Sequence, residues 1–207
     1  MNASGLPTRI RVIDSHTGGE PTRVAVHDDP AAVRREALVH LVGYVVVERP
    51  RQDKRALVLE VLLDRRGHDE RESGAFLLGS ITGTVRIVRE WLPYDELDPS
   101  SLEFAYVRLE TNAFSRLWSE CSARGLEVVA DIHTHPFGPG QSLSDRANPM
   151  ISLAGHVALI APNFARGDIR PEDISVNVYL GGGRWHNTYR KRAAALIKLY
   201  EEEPNGR

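Results

Sequence analysis

Cysteine is nearly absent from this chain of 207 residues: Cys121 stands alone. No internal disulfide can form, and a tetrathiolate metal site is excluded. Any bound metal must therefore rely on histidine, aspartate or glutamate. Lysine is almost as scarce, with Lys54, Lys191 and Lys198 set against a large excess of arginine. Such a bias is what GC-rich coding produces, and avoidance of modification at lysine is the alternative reading. No apolar run approaches the roughly 20 residues that span a bilayer. Residues 1–11 lack a hydrophobic stretch of signal-peptide length. Neither sign of charge dominates, and a formal net charge of -2 gives no global attraction to nucleic acid or to an anionic membrane. A cytoplasmic location is the expectation that follows.

What remains is an ordinary globular balance, 42% hydrophobic and 26% charged, in a length that suits one domain with an extension. Residues 10–13 and 23–26 read as short strands, residues 31–41 as a helix after Pro30, and residues 44–47 as an apolar strand. Polar residues 50–54 suggest a linker. Residues 56–63 fit either a helix or a buried strand, and a charged turn follows over 64–71. Residues 75–78 read as a strand, 79–83 as a connection, 84–91 as a second strand and 93–101 as a loop. Residues 112–124 have helical periodicity, with Phe114, Leu117 and Trp118 on one side and Gly125 as the stop. Apolar strands are expected at 126–132, 156–160 and 174–180, a glycine turn at 181–183, and a last strand at 184–189. Residues 191–202 read as a charged terminal helix with Leu196 and Leu199 inward. Strands and helices mixed in this order indicate an α/β class.

The chemistry concentrates in Asp131-Ile132-His133-Thr134-His135-Pro136, followed by Ser142-Leu143-Ser144-Asp145. His133 and His135 close an apolar strand, where side chains repeat every two residues, so both imidazoles face one way. Pro136 ends the ladder. The loop Phe137-Gly138-Pro139-Gly140 allows the chain to fold back and bring Asp145 to the pair. Two imidazoles and one carboxylate make a tetrahedral zinc site with the fourth position open. Such a site lowers the pKa of a bound water to about 7. Asp131 shares the strand face with the histidines by the same periodicity. It is therefore either a competitor for Asp145 or an acceptor that fixes an imidazole tautomer. His156, His186, His68 and His40 read as structural or surface residues.

His-Thr-His-Pro followed by Ser-x-x-Asp resembles the JAB/MPN (JAMM) metallopeptidase motif. That family places a glutamate upstream in Glu-x-x-x-x-Leu-x-Gly, and Glu72-Ser73-Gly74-Ala75-Phe76-Leu77-Leu78-Gly79 fits it. The resemblance implies that His133, His135 and Asp145 bind zinc. It implies that Glu72 is the general base and then passes the proton to the leaving amine, and that Ser142 donates to the developing oxyanion. Six residues separate His135 from Ser142, where the family usually has seven, a departure that bears on the placement of Ser142. The resemblance covers residues 56–189. It implies a cytidine-deaminase-like fold, a curved, mixed but mostly antiparallel sheet flanked by helices. It implies cleavage of isopeptide or peptide bonds at the C-terminus of ubiquitin or a ubiquitin-like protein, the expected partner. The expected division is an N-terminal extension over 1–52, the metallopeptidase domain over 53–190 and a C-terminal helix and tail over 191–207.

The segment from Ile10 to Val24, which contains Asp14-Ser15-His16-Thr17-Gly18-Gly19-Glu20-Pro21, resembles the start of proline racemases and hydroxyproline epimerases. Those enzymes use two cysteines as paired acid and base. With Cys121 alone, in Ser-Glu-Cys-Ser-Ala-Arg, that reaction cannot operate here. Two alternatives to protein deconjugation stand beside the leading one. A non-catalytic MPN scaffold would typically lose the ligands that this chain keeps. A hydrolase that releases an amino acid from a sulfur-carrier protein would need the same site.

Overall fold

The computed structural model describes residues 11–17, 20–26, 45–48, 71–103 and 107–200. The chain forms two compact units, Met1–His40 and Leu41–Arg207. In the first, β1 (Arg11–Thr17) and β2 (Glu20–Val26) pair antiparallel, from Arg11 opposite Val26 to Thr17 opposite Glu20. Gly18-Gly19 separates the two strands in the sequence. The expected strands at 10–13 and 23–26 are thus halves of one longer hairpin.

The second unit is built on an eight-stranded mixed sheet. Its strands are β3 (Val45–Glu48), β4 (Gly74–Thr82), β5 (Val85–Pro93), β6 (Glu127–Thr134), β7 (Val157–Ala161), β8 (Ser175–Gly181), β9 (Arg184–Thr188) and β10 (Ile197–Tyr200). They lie in the order β10-β3-β5-β4-β6-β7-β8-β9. The pairs β4–β5, β4–β6, β7–β8 and β8–β9 are antiparallel, while β10–β3, β3–β5 and β6–β7 are parallel. Among the described residues four α-helices accompany the sheet: α1 (Tyr94–Leu97), α2 (Thr111–Arg124), α3 (Leu143–Ala147) and α4 (Arg190–Leu196). Among the described residues no helix is long and apolar enough to cross a membrane.

Strand periodicity divides the core in two. Ala75, Leu77, Ile132, Leu159 and Val176 belong to one apolar cluster. Phe76 and Leu78 belong to the other, with Tyr94, Leu97 and the buried residues of α2. The buried α2 stripe is Ala113, Leu117 and Cys121, with Phe114 packed against the same cluster as expected, whereas Trp118 is 42% exposed. Residues four apart on a helix drift by only about 40°, whereas Trp118 stands about 100° from Leu117. Gly125 ends α2 at φ 63°, as expected of a left-handed stop.

Three expectations are corrected. Residues 79–82 are strand, not connection, because Gly79 sits in a bulge where β4 shifts register against β5. A Cβ there would lie 1.7 Å from the Ile87 carbonyl oxygen. Residues 93–101 contain α1, where the sequence suggests only a loop. The terminal helix stops at Leu196, and Ile197–Tyr200 turns into β10 because β3 offers it a parallel partner. Leu196 packs inward as expected. The expected helix at 31–41, the linker at 50–54 and the element at 56–63 lie outside the described residues. So do His40 and His68.

Candidate metal centre

The antiparallel register of β4 and β6 sets Gly74 opposite His133. Carried two residues further, it sets Ser73 against Thr134 and Glu72 against His135. The middle pair is clipped twice: Thr134 N donates to Ser73 O at 2.9 Å, and Ser73 N donates to Thr134 Oγ1 at 3.0 Å. Both residues are buried. On the far side of Glu72, Arg71 donates from Nη1 to the carbonyls of Leu102 and Glu103, at 3.3 and 3.1 Å. Glu72 is therefore held between two anchors, with its Oε1 3.9 Å from His135 Nε2.

His135 itself is held past the end of β6. Its N–H donates to Ala161 O at 2.9 Å, and its carbonyl accepts from Phe164 N at 2.8 Å. Phe164 belongs to a short left-handed turn, Asn163, Phe164 and Ala165, with φ of 52°, 51° and 58°. Three such residues without glycine are costly, about 1–2 kcal/mol each. The surrounding structure holds that turn against the histidine loop.

Asp145 arrives by a different device. Ser142 caps α3: its Oγ accepts from Asp145 N at 3.1 Å, while Ser142 N donates to Asp145 Oδ2 at 2.6 Å. The Ser-x-x-Asp spacing is a capping box, and it fixes the carboxylate beside the imidazoles. His133 Nε2 lies 3.1 Å from His135 Nε2 and 3.8 Å from Asp145 Oδ1, and His135 Nε2 lies 3.2 Å from Asp145 Oδ2. Ligand atoms at zinc distances on a tetrahedron are separated by about 3.3 Å. The three donors, mutually within 4.8 Å, fit such an ion with one position left over. Glu72, His133, Ser142 and Asp145 line one cavity of about 270 Å³.

Asp131 stands behind the donors and does not join them. It is buried, and its Oδ1 lies 2.5 Å from His156 Nε2. Its Oδ2 accepts from the Tyr94 hydroxyl at 3.1 Å and lies 3.7 Å from His133 Nδ1. His133 Nδ1 is buried without a hydrogen-bond partner. When Nε2 serves a metal, Nδ1 carries the proton, and Asp131 is the acceptor placed to orient it. Gly74 makes room for this arrangement, since a Cβ there would meet the Tyr94 ring at 2.3 Å. Sequence reasoning missed Gly74, Tyr94 and the Ser73–Thr134 clip. Gly74 lies inside the glutamate motif, where the fixed offset between Glu72 and Gly79 draws attention away from it. His156 is a buried structural histidine, as expected, and His186 lies on β9.

The electrostatics follow from these contacts. Burial alone would lower His133, but Asp131 and Asp145 reverse it and raise the imidazole to about 9 in the metal-free protein. Burial would raise Asp145, yet His133 and His135 hold it far below the usual carboxylate range. Asp131, against its own burial, is lowered to about 2 by His133 and His156. Glu72 moves the other way: its burial raises it, and the pull of His135 and His133 offsets only part of that rise.

The sequence model of the prokaryotic homologs of the JAB domain matches residues 54–170, more than half of the chain. The chain belongs to that family. The fold of the JAB domain is shared with a solved structure, protein DSY2949 from Desulfitobacterium hafniense, at 17% identity. That match covers 76% of this chain and 94% of the other with a TM-score of 0.50. A protein from Salinibacter ruber matches at 18% identity over the same shares, with a TM-score of 0.44.

Proposed function

We propose that this JAB domain is a zinc-dependent hydrolase that cleaves an amide bond at the C-terminus of ubiquitin or a ubiquitin-like protein. The observation that carries the reading is the convergence of His133, His135 and Asp145 within 4.8 Å, with the Glu72 carboxylate 3.9 Å from the donor atom of His135. A zinc ion held by the three donors supplies Lewis acidity and acidifies a water to a pKa of about 7.

The chain's own residues do the rest. Glu72, raised by burial toward the working range of a general base, takes the proton from the attacking water and delivers it to the leaving amine. Ser142 already accepts from Asp145 N, so its hydroxyl hydrogen is left to donate to the carbonyl oxygen as charge develops. Asp131, behind His133, is the acceptor placed to fix that imidazole's tautomer, while main-chain hydrogen bonds hold the backbone of His135 in place. A protein-sized substrate is supported by Phe137 and Leu143, which are 86% and 85% exposed on the loop that carries Ser142. Large apolar side chains so placed suit a contact surface.

The test pairs metal content with cleavage. Purified protein should carry about one zinc per chain by elemental mass spectrometry. Glu72→Gln should keep that zinc and lose about 10²–10⁴ in cleavage of a ubiquitin-like conjugate. Unchanged cleavage by Glu72→Gln would remove the glutamate from the reaction.

A further inference from the structure

Asp131 is a carboxylate set among apolar side chains, and it is 1% exposed. On β6 it stands opposite Phe76 of β4 and beside Ala158 of β7, and Phe76 shares an apolar cluster with α2. A charge in such a place is costly unless donors surround it. Two donors come from distant points of the chain. Tyr94 reaches Asp131 from the first residue of α1, and His156 from the residue before β7. A carboxylate only accepts. His156 Nε2 is therefore the donor to Oδ1, as the Tyr94 hydroxyl is to Oδ2.

Both donors are fixed by contacts that do not involve the metal ligands. Tyr94 is fully buried, and its ring meets Phe76 edge-on with centroids 5.0 Å apart. His156 N donates to Leu153 O at 3.0 Å, and its carbonyl accepts from Tyr179 N at 2.9 Å. The carbonyl of the preceding residue, Gly155, accepts from Nη2 of the buried Arg86 at 2.8 Å. Arg86 belongs to β5 and Tyr179 to β8, so the segment that carries His156 is held from two strands.

The network nevertheless stays open at one point. A carboxylate offers about four acceptor positions, and Oδ2 keeps one after Tyr94. Facing it at 3.7 Å is His133 Nδ1, buried and without a hydrogen-bond partner. Polar groups that served packing alone would close on one another. Here the chain from Tyr94 and His156 through Asp131 ends at an imidazole of the donor cluster.

We propose that Tyr94 and His156 are positioning residues for the metal centre, which hold Asp131 with a free acceptor position aimed at His133 Nδ1 and through it set how tightly His133 binds zinc. The inference rests on the zinc-hydrolase reading and extends it to two residues that touch neither metal nor substrate.

The test measures metal binding by the full-length protein, with no substrate present. Zinc affinity is read by competition against a chelator at about pH 9, where little proton competition at His133 remains. Tyr94→Phe should weaken zinc about tenfold and His156→Leu by up to about a hundredfold, the range seen when support behind a metal ligand is removed. His156→Gln, which keeps an N–H donor, should recover most of the loss. Cobalt-loaded protein supplies a spectroscopic reading. Its visible absorption bands should shift in Tyr94→Phe, whereas a change that only loosened packing would lower Tm and leave the bands in place. Because both residues act through the carboxylate, Tyr94→Phe should change zinc affinity by less than about twofold once Asp131→Asn is present, the non-additivity expected of one network. If His156→Leu fails to fold, Tyr94→Phe decides, since it gives up one oxygen atom and keeps the ring packing. Zinc affinity and cobalt bands unchanged in Tyr94→Phe would overturn the positioning role and leave the metal site standing. So would a tenfold loss that persists in the Asp131→Asn protein. A folded wild-type protein that takes up neither zinc nor cobalt would overturn the zinc-hydrolase reading, and the positioning role with it.

Discussion

Ser142 performs two jobs that a substitution can separate. As the cap of α3 it accepts from Asp145 N and, through its own N–H, holds the Asp145 carboxylate. As a hydroxyl facing the cavity it is the proposed donor to the carbonyl oxygen. Ser142→Ala should cost about 1 kcal/mol through the lost cap and about 10²–10³ in kcat through the lost donor. Ser142→Thr should restore most of both, read by thermal melting and by steady-state cleavage. His133 carries a second prediction at this scale. Its imidazole is raised to about 9 in the metal-free protein, so at neutral pH a proton occupies the group that must be neutral to bind zinc. One proton is expelled as zinc enters. Apparent zinc affinity should therefore rise about tenfold per pH unit up to pH 9 and level off above it. Competition against a chelator of known pH dependence measures this. A flat profile between pH 6 and pH 8 would show that no proton competes at His133.

At the scale of elements, Gly79 is the sharpest case. It closes the glutamate motif seven residues after Glu72, and what it serves is the bulge of β4 against β5. A Cβ at 1.7 Å from Ile87 O leaves no room without moving the strand that begins at Gly74, opposite His133. Gly79→Ala should lower stability by about 3 kcal/mol, roughly 10 °C in Tm for a domain of this size, with zinc content falling alongside. Circular dichroism melts and elemental analysis give both readings. The same glycine shows what the sequence conveys and what it withholds. Read locally, Gly79 to Gly83 looks like a turn, and the bulge that makes it strand depends on β5. The grouping of His133, His135 and Asp145 was legible because each part is local: a two-residue period places His133 and His135 together, and a capping box places Asp145. The α2 helix was legible for the same reason, although its buried face was misjudged by about one residue's rotation at Trp118. The end of α4 was not legible, because Leu196 and Leu199 stand at helical spacing, and only the parallel pairing with β3 makes residues 197–200 strand.

The whole chain poses the question of what residues 1–52 contribute. The sequence treats them as one extension, but the structure divides the chain at His40 and Leu41. Among the described residues β1 and β2 pair only with each other, and their resemblance to a racemase segment brings no second cysteine with it. Val45–Glu48 is different. It lies between β10 and β5, with Val45 paired to Ile197 on one side and to Arg86 on the other, and Val45 is buried in the core. Removing it would strip β5 of a neighbour, deprive β10 of its partner and expose an unpaired edge. Two truncations that differ only by residues 41–51 should therefore behave in opposite ways. Deletion of residues 1–40 should leave a cooperatively melting protein that still binds zinc. Deletion of residues 1–51 should lower Tm by 10 °C or more, on the order of the several kcal/mol that a core strand contributes, and favour aggregation through the opened edge. Melting curves and size-exclusion chromatography of the two shortened proteins decide the matter. Equal stability of both would mean that β3 is dispensable to the sheet. Equal collapse of both would mean that the first forty residues support the domain in a way that the pairing of β1 with β2 alone does not reveal.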